Sequence, residues 1–156
     1  MRLNVALLAF SLALVPAVAG ADMPNRALTP GAVADTDPGV VCASGYASAH
    51  REVPYAERDA IYNEYGIPRG TRHASPRRGY RIDHLIPLEI GGANGPRNLW
   101  PQRYADSKGK DRVEDALHEA VCYAHTLTLE QAQAAIARDW THTPVGLPAA
   151  QRRYRF

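Results

Sequence analysis

The sequence predicts an α+β fold, mainly helical, built around one hairpin-and-helix unit. Three observations carry this. Tyr80 to Asn98 reads Y-R-I-D-H-L-I-P-L-E-I-G-G-A-N-G-P-R-N, an alternating run that breaks into a glycine loop. Asn98-Leu99-Trp100-Pro101-Gln102 leads out of that loop, with Leu99 and Trp100 as core candidates. Beyond it lie two stretches with helical spacing. Strand, loop, second short strand and helix in this order make a ββα unit.

The elements follow in chain order. Val5 to Val18 is apolar apart from Ser11 and Pro16, and Ala17-Val18-Ala19 and Ala19-Gly20-Ala21 have the small-x-small form of a cleavage site. Residues 1–21 therefore read as a secretory signal peptide. Residues 22–40, rich in Ala, Pro, Gly and Asp without periodicity, read as a flexible leader. The folded domain is expected over 41–142. Val41 to Arg51 is expected to be a short extended segment. Pro54 to Tyr65 predicts a helix, with Ile61, Tyr62 and Tyr65 as its apolar stripe and Gly66 as its stop. Arg69 to Gly79 is a basic, turn-rich loop, either a solvated surface or a phosphate-contacting arm.

In the strand, Tyr80, Ile82, His84 and Ile86 point one way, and Arg81, Asp83 and Leu85 the other. Pro87 limits its length. From Lys110 onward, Val113, Ala116, Leu117, Ala120 and Val121 recur at helical spacing, with Asp111, Arg112, Glu114 and Asp115 off the stripe. Thr128 with Gln131 is a capping box. It opens a helix to Trp140 with Leu129, Ala132, Ile136 and Trp140 on one face. Residues 143–156 read as a loosely ordered basic tail.

The 156 residues carry a formal charge of +2, and removing the first 21 takes away Arg2 and leaves +1. This is no polycation. The charge is uneven, however: Arg69, Arg72, Arg77, Arg78 and Arg81 fall together with no acid among them, and local patches of this kind can hold phosphates. Cys42 and Cys122 are the two cysteines. In an exported chain such a pair is expected to form a disulfide.

Asp83 and His84 thus lie side by side near a strand end. A hard cation takes carboxylate oxygens, and an imidazole titrating near neutral pH suits a general base. Asn98 can donate and accept at once and so brace two backbone segments. Asp106, at the mouth of the following helix, reads as a helix cap or as a second carboxylate sharing one hard cation with Asp83. Two carboxylates with waters suit magnesium better than zinc. Glu89 reads as an acid orienting His84 or Arg97, or as a surface carboxylate. His118 reads as a helix-surface residue or a neighbour of Trp100.

The segment I-D-H-L-I-P-L-E-I-G-G-A-N-G-P-R-N-L-W-P resembles the ββα-metal core of the HNH endonuclease superfamily, the His-Me finger. The continuations K-D-R-V-E-D-A-L-H-E-A-V-C and T-L-E-Q-A-Q-A-A-I-A-R-D-W resemble small exported bacterial HNH-type proteins. The resemblance covers Tyr80 to Trp140 well and Cys42 to Tyr65 more loosely. It implies that Asp83 is the first metal ligand, that His84 is the base activating water, and that Asn98 braces the loop and orients the base. The family's last position, His or Asn, has no exact counterpart here, and Asp106 stands closest to it. The cysteine pairs that hold zinc in some relatives are absent.

The implied activity is metal-dependent hydrolysis of nucleic-acid phosphodiesters, with Mg2+ or Mn2+ as cofactor and little sequence specificity. DNA is the expected partner before RNA, contacted by Arg69, Arg72, Arg77, Arg78, Arg81 and Lys110. The expected location is periplasmic or secreted, and the expected state a monomer. Two other readings stand beside it: a non-catalytic nucleic-acid or partner-binding protein on the same scaffold, and a structural envelope protein whose arginines face solvent.

Overall fold

The computed structural model of the chain describes residues 23–143. The expected signal segment and residues 144–156 of the expected tail lie outside them. Among the described residues are five helices and two strands. They run α1 Pro38–Val41, α2 Tyr46–Ala49, α3 Tyr55–Glu64, β1 Tyr80–His84, β2 Leu99–Arg103, α4 Tyr104–Cys122 and α5 Leu129–Asp139. The class is α+β. No helix among the described residues is long and apolar enough to cross a membrane.

β1 and β2 pair antiparallel, from Tyr80 opposite Arg103 to His84 opposite Leu99. Pro101 interrupts no further ladder, because the sheet has only these two strands. α4 continues directly from β2. α5 opens on the Thr128–Gln131 capping box, both halves formed, and buries Leu129, Ala132, Ile136 and, just past its end, Trp140. These pack with Leu117 and Val121 of α4 against Leu85, Ile86, Ile90 and Trp100, the centre of the core. The 3.6-residue repeat sets which faces meet; burial of the apolar stripes holds them there.

The Cys42–Cys122 disulfide joins the end of α4 to the residue after α1, with Cα atoms 5.4 Å apart and a sequence separation of 80. A loop of that size contributes on the order of 4 kcal/mol by restricting the unfolded chain.

Two expectations need correction. Residues 41–51 are not extended but run from the end of one single-turn helix, Pro38–Val41, through a turn into a second, Tyr46–Ala49; the first is capped by the Asp37 side chain accepting from Gly39 N–H. Residues 23–37, within the expected flexible leader, are docked along the glycine loop. Gly31 N–H donates to Arg97 O, Ala34 N–H to Gly91 O and Ala93 N–H to Ala32 O. Val33 forms a β-bridge with Gly92. Thr29 is fully buried, its hydroxyl bonded to Leu99 O at 3.0 Å and to the Tyr65 hydroxyl at 2.7 Å. Besides this backbone pairing, Gln133 of α5 donates to Asp35 O at 2.9 Å, Arg26 donates to Arg138 O and Met23 packs against the core; most of these are polar contacts, so hydrophobic periodicity carries little trace of them.

The glycine loop is tight for a definite reason. Gly91 sits at φ +78°, and a Cβ on Gly92 would run into Ile86 O. Asn98 closes the same turn. It accepts from Ile86 N–H and donates to Ile86 O and Ala93 O, each at 2.9 Å, and it is fully buried. One amide thereby satisfies three backbone groups that the irregular loop leaves without ladder partners.

Candidate active site

A cleft of about 680 Å3 opens beside the C-terminal end of β1. Six carboxylate residues line it, Glu52, Asp83, Glu89, Asp111, Glu114 and Asp115, against three arginines, Arg51, Arg58 and Arg81. β1 supplies Asp83 and His84, the pre-α3 segment supplies Arg51 to Val53, the turn Leu88–Ile90 supplies Glu89, and α4 supplies Asp111, Glu114 and Asp115.

His84 has a fixed tautomer. Its Nε2 lies 2.7 Å from Asn94 Oδ1. The Asn94 amide nitrogen donates to His50 O at 2.7 Å and to Glu52 O at 3.3 Å. Two carbonyls can only accept, so that end of Asn94 must be the NH2 group, and the end facing His84 must be the oxygen. His84 therefore carries its proton on Nε2, and Nδ1 keeps its lone pair. Burial pushes the His84 pKa below its ordinary value, outweighing the opposing pull of Asn94 and Asp83. The ring is thus neutral at pH 7, with one free basic nitrogen, which is the state a general base needs.

Asp83 is held by two cations: Lys110 Nζ at 3.2 Å from Oδ2 and Arg81 at 3.5 Å from Oδ1. Lys110 is fully buried. Its ammonium also donates to His84 O at 2.5 Å and to Glu114 one helical turn on. Burial opposes the Lys110 charge, but Glu114 and Asp83 outweigh it and raise its pKa. Glu114 shifts the same way for another reason: burial drives its pKa up, against the pull of Lys110. Arg81 in turn links Asp83 to Asp111, at 2.6 Å, and to Gln102, at 3.2 Å.

Several expected site residues stand elsewhere. Asp106 lies in the first turn of α4, where Arg103 is the N-cap, and it pairs with Arg103 at 3.1 Å. α4 begins beside the Tyr80–Arg103 pair, whereas Asp83 faces Trp100, three residues along β1. At about 3.3 Å per residue that is roughly 10 Å of strand. Asp106 is thus engaged by Arg103 at the start of α4 and, unlike Asp83, does not line the cleft. The acid that α4 brings to Asp83 is Glu114, two turns further on, with Asp111 beside Arg81.

Lys110 was expected to face phosphate; its complete burial and its two carboxylate partners rule that out. Arg77 is also engaged, with Asp59 at 2.5 Å, Asn63 at 2.7 Å and Ile67 O at 3.0 Å, and its side chain is only 12% exposed. Arg78 donates to Arg72 O, and Arg69 pairs with Asp59 at 2.9 Å. The Arg69–Gly79 loop is thus largely tied to α3 rather than extended as an arm. Of its arginines, Arg69, Arg72 and Arg78 remain exposed. Glu89 pairs with Arg51, and His118 stacks edge-on with Tyr123.

The sequence reading missed Asn94, Lys110 as a buried cation, and Glu114. Lys110 had a signal: it continues the Val113–Leu117–Val121 stripe by one step. Asn94 had none beyond its place in a turn.

The carboxylates at the cleft offer hard oxygen donors, with the His84 imidazole beside them. Among the described residues no group of three or more His, Cys, Asp and Glu side chains is gathered to hold a metal ion. Asp83 and Glu114 nevertheless converge on one positive charge, and a carboxylate has about four lone-pair sites, of which Asp83 uses two here. Two carboxylates with water are what a magnesium-like ion takes. Compared with known proteins, the chain matches no family model, no curated protein and no solved structure.

Proposed function

We propose that this protein is an exported, metal-dependent endonuclease of HNH type that hydrolyses nucleic-acid phosphodiester bonds with little sequence specificity. The observation that carries the reading is the locked His84 tautomer: a neutral imidazole whose one free nitrogen stands beside an acid-lined cleft. The resemblance of the Asp83–Pro101 segment to the HNH core supplies the reaction class, and the order β1, β2, α4 supports it. The Cys42–Cys122 disulfide and the apolar segment near the N-terminus support export.

In the reaction, His84 Nδ1 takes a proton from water as the water oxygen bonds to phosphorus and the phosphorus bond to the leaving 3′ oxygen breaks. Solvent reprotonates that oxygen. Asn94 keeps the proton on Nε2 throughout. Asn98 holds the backbone of the loop that carries Asn94, and Lys110 fixes the His84 carbonyl and the Asp83 carboxylate relative to each other. A divalent ion, magnesium or manganese, held by Asp83 with Glu114 would supply positive charge to the phosphate in a cleft that is otherwise acidic.

The test is cleavage of plasmid and single-stranded DNA with Mg2+ or Mn2+, wild type beside His84→Ala. The expected loss is about 10²- to 10⁴-fold, the usual contribution of a positioned base. Undiminished cleavage in the variant ends the role given to His84. The second reading, a nucleic-acid-binding protein without hydrolysis, is favoured by one observation: both Asp83 oxygens already bond to cations of the chain. It prevails if the wild type binds DNA, cleaves nothing and takes up no divalent ion by calorimetry.

A further inference from the structure

The acidic cleft does not end at Arg81. A second cavity, of about 320 Å3, shares Arg58, Arg81 and Ile82 with it. Its lining reverses the charge: four arginines, Arg58, Arg69, Arg77 and Arg81, against the single acid Asp59. Asp59 is held by Arg69 and Arg77, and Arg81 pairs with Asp83 and Asp111, so the cations the groove can offer a ligand are Arg58 and the exposed Arg69, which uses one of its five N–H donors on Asp59.

The groove is also aromatic. Tyr55 and Tyr104 are 62% and 57% exposed, at the start of α3 and the start of α4, and both line it. Rings of this size normally bury, so their joint exposure beside a charged wall points to a ligand with flat apolar faces. Arg58 and Arg69 stand 6.0 and 5.4 Å from the Tyr55 ring centroid. Arg58 has no carboxylate partner among the described residues. Ring and cation are thus presented together, which is how flexible single strands are gripped: bases stack on aromatic faces while arginines track the backbone. A duplex hides its base faces in its own stack and would meet only the cations. The volume, near the lower end of the ~300–1,000 Å3 of small-ligand pockets, suits one unpaired nucleotide unit.

Resting on the nuclease reading for the neighbouring cleft, we propose that this groove takes single-stranded nucleic acid, with bases on Tyr55 and Tyr104 and phosphates on Arg58 and Arg69, and leads it to His84. Unpaired strands are then the preferred substrate class. The contacts read no base edges, so the preference is for strandedness rather than sequence.

The test measures binding of fluorescein-labelled oligo-dT and of a blunt DNA hairpin to the full chain in EDTA, by anisotropy. Oligo-dT is expected to bind at least tenfold more tightly. Tyr55→Ala and Tyr104→Ala should each weaken it by roughly 5- to 150-fold, the span of base–aromatic stacking, and leave the hairpin unchanged. Tyr55→Phe, which keeps the ring, should bind like wild type. Equal or tighter binding of the hairpin, or unchanged oligo-dT binding in both alanine variants, overturns the proposal. Hydrolysis of bis(p-nitrophenyl) phosphate, too small to span the groove, reads the cleft alone. If it is hydrolysed without a single-strand preference, the groove fails and the cleft stands. Single-strand binding without hydrolysis gives the reverse result.

Discussion

The two cavities share a wall and oppose each other in charge. In the cleft, six acids face three arginines, and the strongest local cation, Lys110, is sealed beneath the surface. In the groove, four arginines face one acid, and the tyrosines stay exposed. Chain-wide charge conceals this, because the two regions nearly cancel. A phosphate backbone is attracted to the groove and repelled from the bare cleft, so binding and chemistry must draw on different cations. Lys110 illustrates the separation: its charge is spent entirely on positioning Asp83, Glu114 and the His84 carbonyl.

The largest expected effect breaks the cleft and spares the groove. Lys110→Met leaves Asp83 and Glu114 converging with no cation between them. Removing one partner of a buried ion pair costs about 3–5 kcal/mol, read as a lower urea midpoint at pH 7. Oligo-dT binding by whatever remains folded should match wild type. An unchanged midpoint would mean that Lys110 is not sealed between those carboxylates in solution.

Asn98→Ala comes next. It strips Ile86 N–H, Ile86 O and Ala93 O of their shared partner. With one or more of these groups left unsatisfied, about 3 kcal/mol of stability should go. Hydrolysis should fall along with it as the loop carrying Asn94 loosens. If activity vanishes while stability holds, Asn98 touches the reacting groups directly, and the bracing account is wrong.

How much of this could be read from the chain depends on which force set each element. The alternation over Tyr80–His84, the α5 stripe and the Thr128 cap are local patterns, and local patterns survive in sequence. Asn98 was legible because an amide next to apolar residues after a glycine loop has few other uses. Asp106 misled because spacing along the chain ignores strand register: the antiparallel pairing delivers the start of α4 to Tyr80, not to Asp83. Residues 23–37 misled because their docking rests mainly on backbone pairing and on scattered polar contacts, which leave no periodic pattern. The basic loop was only partly legible, because Arg77 and Arg78 find Asp59 and Asn63 of α3 and the carbonyls of Ile67 and Arg72 only once the chain has folded.

Glu114→Gln gives a smaller effect, visible only across pH. Burial raises the Glu114 pKa from 4.5 to about 7. A group whose folded pKa exceeds its unfolded value contributes fully below the unfolded value, and the contribution is lost as pH rises through the folded one. Wild-type stability should therefore decline between about pH 4.5 and pH 7 on this account, by on the order of 3 kcal/mol. Gln keeps the acceptor for Lys110 but cannot ionise, so the variant should lack that decline. Parallel pH–stability curves for the two proteins would place Glu114 in water rather than beneath the cleft.

The finest test concerns His84 and Asn94. Burial lowers the His84 pKa from 6.5 and Asn94 partly restores it. A base works unprotonated, so kcat/KM should rise with pH through a midpoint below 6.5 and level off above it. Asn94→Ala removes the restoring bond, so the midpoint should move further down. The plateau should drop as well, because either ring nitrogen can then carry the proton and only part of the population presents a free Nδ1. The two changes have opposite signs at low pH, which separates them from simple loss of folded protein. An upward shift would mean that Asn94 holds the imidazole neutral rather than favouring its charge, and the tautomer argument would lose its support. In the groove the same substitution should change nothing, since neither His84 nor Asn94 lines it.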